Sequence, residues 1–599
     1  MSMSNNESER VTLCFDLFDL PTTQHKAGLA GLLLQIQSMK ERRIDADRIP
    51  GVEELTRTSA RITFTLESTL SLFNDLYCST KAIRLEKKLR KDKRTKQVVP
   101  PDGDPVSATI RGKLETKYPY LVTRPKPQVL LHHLSDSSEE NLWVQLWRDM
   151  VWSIPRGGNN VKARSPFDQC AERGSCSSGA DVWRDILSFK KSLKKGYMNS
   201  KPLSGALLLA AQQKNAEAVP FSGRIDHNIL LHFWQVVVLT YVPQHVKRDS
   251  TKRDPAQAYR LEPHGFVLAL PDVADLREFT ETFPEVIGTL DQSPRNTRHG
   301  QRPAAALIDV PFQAGLEFLR CLRNLVTTKA DREFQCSFVT AIESYHMLGE
   351  LKKTSLLCFD RTLNRGGIVA KYERIRNAFR NPFFRAAQLR SLARDQPWYG
   401  GMLELFAERP WTFFVEHERT PRFIPRFGTD ARTQFRAIFQ DTQDMKNDEM
   451  SDSDRLGRIV QRLVNKYVEG RAEAKTGKKV KAFPKETVNG RERRIYPNEF
   501  REAQQRVCSD IFLSMRSRHD QDFVESFVGS ICSVAQYLPS DDYQFLTSVL
   551  MRQSQKDATG PVLPCWEDVK ALAMIAVSAC SFATQPRESS TQQAKEKAT

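Results

Sequence analysis

No stretch of this 599-residue chain is apolar for long enough to cross a bilayer. The most apolar runs, residues 229–242 and 571–583, fall short of the ~20 residues that a spanning helix needs and read as core. The first ten residues are polar, carry Glu7 and Glu9, and lack the basic start and apolar stretch of a secretory leader. A cytoplasmic location without membrane attachment is expected. Cysteine is sparse in pattern rather than number: the 11 cysteines run from Cys14 to Cys580 with no C-x-x-C pair. That argues against both a disulfide framework and a zinc ribbon. The nearest two, Cys170 and Cys176, have no histidine close by in sequence.

Motifs of bond chemistry are missing too. The chain contains no Walker loop, no H-E-x-x-H and no G-x-S-x-G. His519-Asp520 has the form of a paired ligand in metal-dependent phosphohydrolases, yet it falls at a helix joint with no companion histidine in the C-terminal part. His132-His133 and the pair His227 and His232 lie in apolar surroundings, where histidines hydrogen-bond more often than they ligate. His25, near a helix start, reads as capping or packing. The expectation is a binding protein with no catalytic residues, no metal and no cofactor.

What the chain does have is positive charge: 89 Lys and Arg against 72 Asp and Glu, a net +17. Such an excess attracts polyanions. Three segments concentrate it. Residues 81–96 hold nine cations, among them Lys87, Lys88, Arg90 and Lys91, against Glu86 and Asp92. Residues 361–394 hold nine against Glu373 alone, including Arg374, Arg376, Arg380, Arg385 and Arg390. Interleaved Tyr372, Phe379, Phe383 and Phe384 read as stacking platforms for unpaired bases beside arginines that grip phosphate. Residues 471–494 hold nine against three glutamates, including Lys478, Lys479, Lys481, Arg493 and Arg494. The three segments are expected to line one track for a nucleic-acid backbone.

The length implies several structural units. Periodicity predicts a strand over residues 11–17, a helix over 24–39 and a strand over 61–67. A long helix over 68–89 and an amphipathic helix over 139–152 with Trp143, Trp147 and Trp152 follow. Gly28 and Gly31 each cost about 1 kcal/mol in a helix, so they mark a face pressed against another element. Residues 154–167 read as a loop, residues 230–242 and 265–270 as buried strands, and 271–282 as a helix. From residue 452 onward only helices are expected, in a bundle ending near 585. The fold class is therefore α+β, a mixed body over residues 1–440, with a polar linker over 441–454 and a disordered tail over 586–599.

Particular residues go further. The string DLFDLPTTQHKAGLAGL over residues 16–32 resembles the opening of the MYXAN-subtype large subunits of type I CRISPR surveillance complexes (Cascade), with type I-B and transposon-carried systems as the branch suggested. Further matches are Leu231-His232-Phe233-Trp234, Tyr241-Val242-Pro243, GFVLALP over residues 265–271, and segments within residues 507–523. The resemblance implies a non-catalytic subunit at the foot of the complex, beside the guide RNA's 5′ end. Such a subunit recognises the protospacer-adjacent motif on double-stranded target DNA and helps open the duplex, while base pairing reads the sequence. Implied partners are the guide CRISPR RNA, the backbone, guide-end and small subunits, and either a helicase-nuclease or a transposition adaptor.

No motif-reading residue follows from the resemblance, so the loop supplies the candidates. Gly157 and Gly158 let backbone approach a groove, Asn159 and Asn160 can donate to base acceptors, and Arg156, Lys162 and Arg164 can hold phosphate or guanine. The resemblance also implies an internal translation start at Met445 or Met450 that would yield a separate helical small subunit. Two readings compete: a metal-dependent nuclease using His519 and Asp520, and a guide-independent nucleic-acid scaffold.

Overall fold

Buried and exposed residues alternate along Val11–Asp16 (β1), as the apolar residues Val11, Leu13 and Phe15 require. The computed structural model describes residues 9–581 apart from 92–94, 111–112, 139, 154–159, 204–206, 210–221, 255–256, 291–294, 297–301, 328–337, 348–350, 359–366, 417–424, 442–449, 489–490 and 553–562. Two units emerge, residues 1–244 with 263–367, and residues 245–262 with 368–599. Of the compositional linker at 441–454, residues 442–449 lie outside the described residues.

In the first unit, Thr22 caps helix α1 (Thr23–Glu41) by accepting from the His25 N–H. Almost every residue of α1 from Gln24 to Ile36 is buried, so α1 is a central element. Its glycines explain how: a Cβ on Gly28 would sit 2.2 Å from the Leu230 carbonyl oxygen, and one on Gly31 2.2 Å from that of Phe233. Strands β2 (Gly51–Leu55) and β3 (Ser59–Phe64) join β1 in the order β1-β3-β2. Helix α2 (Leu66–Leu76) begins at a capping box between Thr65 and Ser68.

Residues 68–89 are thus not one helix: α2 stops at Leu76, and Ser79–Glu86 is strand β4. Lys, Arg, Leu and Glu favour helices, but pairing of β4 with β6 (Lys113–Pro125), itself flanked by β5 (Val106–Ile110), overrides that preference. Helices α3 (Gln128–His133) and α4 (Leu142–Ser153) follow. Trp143 and Trp147 are buried and donate their indole N–H to the Leu290 and Gln235 carbonyls at 2.8 and 3.1 Å. The expected loop over 154–167 is cut short by α5 (Asn160–Arg173), which contains Pro166. Phe167 decides the outcome: it is buried against Tyr77, Trp147 and Trp152, and α5 packs on β4 and β6. Helix α6 (Ser178–Lys194) completes this part.

Residues 230–238 are short helical turns rather than strand, because an apolar run alone does not distinguish the two. Strand begins at Leu239–Arg248 (β7), which pairs with Phe266–Val273 (β9). The far end of β7 forms a hairpin with β8 (Tyr259–Pro263) in the second unit. Pro271 belongs to β9, so the expected helix starts later, as α7 (Leu276–Leu290). Strands β10 (Val339–Met347) and β11 (Leu351–Cys358) extend the sheet in the order β7-β9-β10-β11. Helices α1 and α8 (Gln313–Thr327) pack on it, and α7 packs against both helices.

The second unit gathers around α16 (Trp566–Ser581), which is buried nearly all round from Val569 to Ala579. A helix apolar on every face needs partners on every face. These are α11 (Phe427–Asp441), α12 (Asp452–Thr476) and α13 (Asn498–Arg516), with α14 (Asp520–Ser530) and α15 (Ser540–Leu550) alongside. Preceding them are α9 (Ile368–Ala378) and α10 (Pro382–Ala393). Among the described residues the helices-only expectation holds except for one hairpin, β12 (Lys485–Val488) with β13 (Arg491–Arg494). A product begun at Met445 or Met450 would lack α11, whose Phe435 and Ile438 are buried within the unit, and would leave that side of α16 to another partner. Among the described residues no helix is long and apolar enough to cross a membrane.

Candidate nucleic-acid interface

The first basic segment lies in the first unit, on β4 and just beyond it, and is largely matched by acids. Lys81 pairs with Glu172 at 3.2 Å, Lys87 with Glu115 at 2.9 Å and Arg90 with Glu86 at 2.8 Å. The Arg90 guanidinium also sits 4.4 Å from the Tyr120 ring centroid. Lys88 and Lys91 are exposed and form no ion pair among the described residues.

The second segment falls on α9 and α10. Its aromatics are core rather than stacking platforms: Tyr372 and Phe384 are 0% exposed, Phe379 4% and Phe383 9%. The i, i+4 and i+5 spacing that interleaves them with arginine in the sequence is the buried stripe of two amphipathic helices. Phe379 packs on Phe384 at 4.8 Å, Phe383 on Phe413 and Phe384 on Phe427. Asn381 holds the turn between the helices, accepting from the Phe383 and Phe384 N–H groups at 3.0 Å. Asp430 accepts from the Arg380 and Asn381 N–H groups at 2.8 and 2.6 Å, and burial pushes its carboxyl up to about 6. The arginines are thereby displayed on a fixed scaffold. Arg374 and Arg390 are exposed without an ion pair among the described residues, Arg380 is exposed, and Arg376 and Arg385 are half-buried and engaged.

The third segment follows α12 and leads into the hairpin. Lys475 pairs with Asp510 at 3.5 Å, Lys478 with Glu499 at 2.5 Å and Lys479 with Glu473 at 3.2 Å, while Lys481 is exposed. Arg493 lies on β13, and Arg494 closes one side of a cleft that density of charge in the sequence does not reveal. This cleft runs between α11, α12, the hairpin, α13 and α16. Six cations line it, Arg432, Arg436, Arg462, Lys466, Lys485 and Arg494, against the single acid Glu469.

Each wall has a reason to be there. Arg432 is fixed by donating to the Ala579 carbonyl at 2.7 Å, and Lys466 pairs with Glu469 at 2.9 Å. Tyr496 stacks on Phe500 at 5.7 Å and forms an aromatic edge. Arg436, Arg462 and Arg494 form no ion pair among the described residues. Three guanidiniums left uncompensated at one concave surface attract phosphate, and concave walls strengthen the attraction. Four of the six cations, Arg432, Arg436, Arg462 and Lys466, fall outside the dense basic runs. Their signal is i, i+4 spacing: Arg432 with Arg436 on one helix, and Arg458, Arg462 and Lys466 on the next.

Of the loop candidates, Arg156, Gly157, Gly158 and Asn159 lie outside the described residues, and Asn160 and Lys162 belong to the first turn of α5. Arg164 is engaged by Trp152, donating to its carbonyl with the guanidinium 5.1 Å from its ring centroid. His519 and Asp520 are exposed and share no ligand cluster with a third residue among the described ones. Two other histidines behave as core groups. His232 is half-buried with Nδ1 2.5 Å from the Tyr77 hydroxyl, and desolvation lowers it to about 4. His25 Nδ1 lies 2.7 Å from the Thr22 hydroxyl, and burial followed by the nearby His227 lowers it to about 4.

Comparison with known families agrees in both halves of the chain. A family model described as the type I-B CRISPR Cas8b N-terminal domain matches residues 49–332, and one described as the type I-B CRISPR Cas8b C-terminal domain matches residues 339–580. No curated protein matches.

Proposed function

The chain belongs to the type I-B CRISPR Cas8b family and is a large subunit of a type I-B CRISPR effector, within which we propose that it binds target DNA, reads the protospacer-adjacent motif and helps open the duplex. The observation that carries the reading is the cleft of the second unit, with six cations against one acid. A track of this kind holds phosphodiester backbone without regard to sequence, which suits a protein whose sequence reading is delegated to a guide RNA. Arg436, Arg462 and Arg494 take the phosphates, and Tyr496 offers a face to a base. Arg374 and Arg390 on α9 and α10, and Lys88 and Lys91 beyond β4, add outlying contacts. The subunit works by binding, with bond chemistry left to a separate helicase-nuclease or, through a transposition adaptor, to an insertion machinery.

Motif reading is assigned to Arg156, Gly157, Gly158 and Asn159 with the α5 start at Asn160 and Lys162. The first turn of a helix presents unpaired N–H groups that favour phosphate. The partners in this reading are guide CRISPR RNA, the other effector subunits and double-stranded target DNA.

The test is reconstitution of the effector with and without this chain on a duplex library randomised beside the target. Loss of motif preference and at least tenfold weaker binding without the chain are expected. Equal binding with the same motif preference in its absence would overturn the proposal.

A further inference from the structure

Helix α1 ends at Glu41 and helix α3 at His133, and the two ends meet. Glu41 Oε2 lies 3.0 Å from His132 Nε2, while Oε1 accepts from Gln37 at 2.9 Å. The His132 and His133 rings stand 4.7 Å apart between centroids and are inclined at 64°. One ligand atom from each of Glu41, His132 and His133 lies within 4.8 Å of the others, the one such group of three among the described residues.

A Glu41–His132 ion pair alone leaves two facts unexplained. Nε2 of His133 is shut off from solvent and makes no hydrogen bond, although an unpaired buried nitrogen costs about 1–3 kcal/mol. And the second imidazole is held against the first, where two cations would repel.

We propose that Glu41, His132 and His133 form a binding site for a first-row divalent transition metal, with Zn²⁺ the foremost occupant. Two imidazole nitrogens at ~2.0–2.1 Å from one ion, at tetrahedral to right angles, place their ring centroids about 4.4–5.2 Å apart. The observed 4.7 Å falls within that window. Two nitrogen donors and one carboxylate suit zinc, cobalt or nickel and do not suit the all-oxygen preference of Mg²⁺ or Ca²⁺.

Exposure of Glu41 and His132 leaves the fourth position open to water or an oxygen ligand. The neighbouring Arg42 does not oppose the ion, because Asp75 already holds its guanidinium through two hydrogen bonds at 2.9 and 2.5 Å. The negative end of the 19-residue α1 helix adds a favourable term for a cation. Metal at this point joins residues 91 positions apart and locks α3 onto α1.

The test uses full-length chain stripped with a chelator and then titrated with Co²⁺ and Zn²⁺. One Co²⁺ per chain is expected, with weak visible bands of a nitrogen and oxygen ligand set, displacement by Zn²⁺ and a higher Tm. Glu41→Gln and His132→Gln, both at exposed positions, and His133→Gln should each weaken binding at least tenfold while metal-free Tm confirms folding. No stoichiometric uptake at micromolar metal, undiminished uptake in a His132→Gln/His133→Gln variant, or an intense thiolate-to-cobalt band would overturn the assignment.

Discussion

The carbonyl oxygen of Leu230 stands where a Cβ on Gly28 would be, 2.2 Å away. Gly31 meets Phe233 in the same way one turn later, so α1 rests on backbone rather than on side chains. Gly28→Ala or Gly31→Ala forces this close approach open. A destabilisation on the order of 2 kcal/mol is expected, since overpacking outweighs the ~1 kcal/mol gained from helix propensity. Gly470 in α12 has nothing within 4 Å of its would-be Cβ. Gly470→Ala should therefore stabilise by about 1 kcal/mol. Chemical denaturation of the three variants checks the opposite signs.

Acid should weaken the first unit through two of its histidines. His25 and His232 are lowered to about 4 from an ordinary 6.5, so between these values the unfolded chain binds protons that the folded chain does not. Stability is complete above pH 6.5 and falls as pH drops toward 4. The slope is about 1.4 kcal/mol per pH unit for each proton. Asp430 acts oppositely: its carboxyl, raised to about 6 by burial, favours folding of the second unit at lower pH. Denaturation midpoints measured for wild type and His232→Asn between pH 7.5 and 4.5 should show the variant's slope reduced by about one proton.

On α9 and α10, charge and stability should separate. Arg374→Glu with Arg390→Glu changes exposed groups and should reduce DNA affinity several-fold with Tm unchanged. Phe384→Ala removes a fully buried ring and should cost about 3–5 kcal/mol. Binding assays beside thermal melts distinguish these roles. Failure of the phenylalanine variant to bind DNA at a temperature where it remains folded would restore the stacking-platform reading.

Some elements are legible in the sequence for identifiable reasons. Strict alternation in Val11–Asp16 and the two glycines of α1 each have one physical reading, and both structures form. Apolar residues 571–583 read as core because only a central helix buries every face, and α16 is that helix. Residues 79–86 mislead because their composition favours helix while pairing partners more than 30 residues later decide for strand. Phe379, Phe383 and Phe384 resemble an interface because alternation with arginine is common to a stacking surface and to an amphipathic helix with a basic outer face. The cleft stays hidden because its cations come from two helices and a hairpin, so no single window of the sequence is dense enough to show it.

In the proposed function the cleft of the second unit grips nucleic-acid backbone. The most direct measurement is the salt dependence of target binding by the assembled effector carrying Arg436→Gln, Arg462→Gln and Arg494→Gln. Each phosphate neutralised by one arginine adds about 0.7 to the log–log slope on single strands or 0.9 on duplex, so the triple variant should be shallower by about 2–3. A folded triple variant with wild-type affinity and an unchanged slope would contradict that role of the cleft.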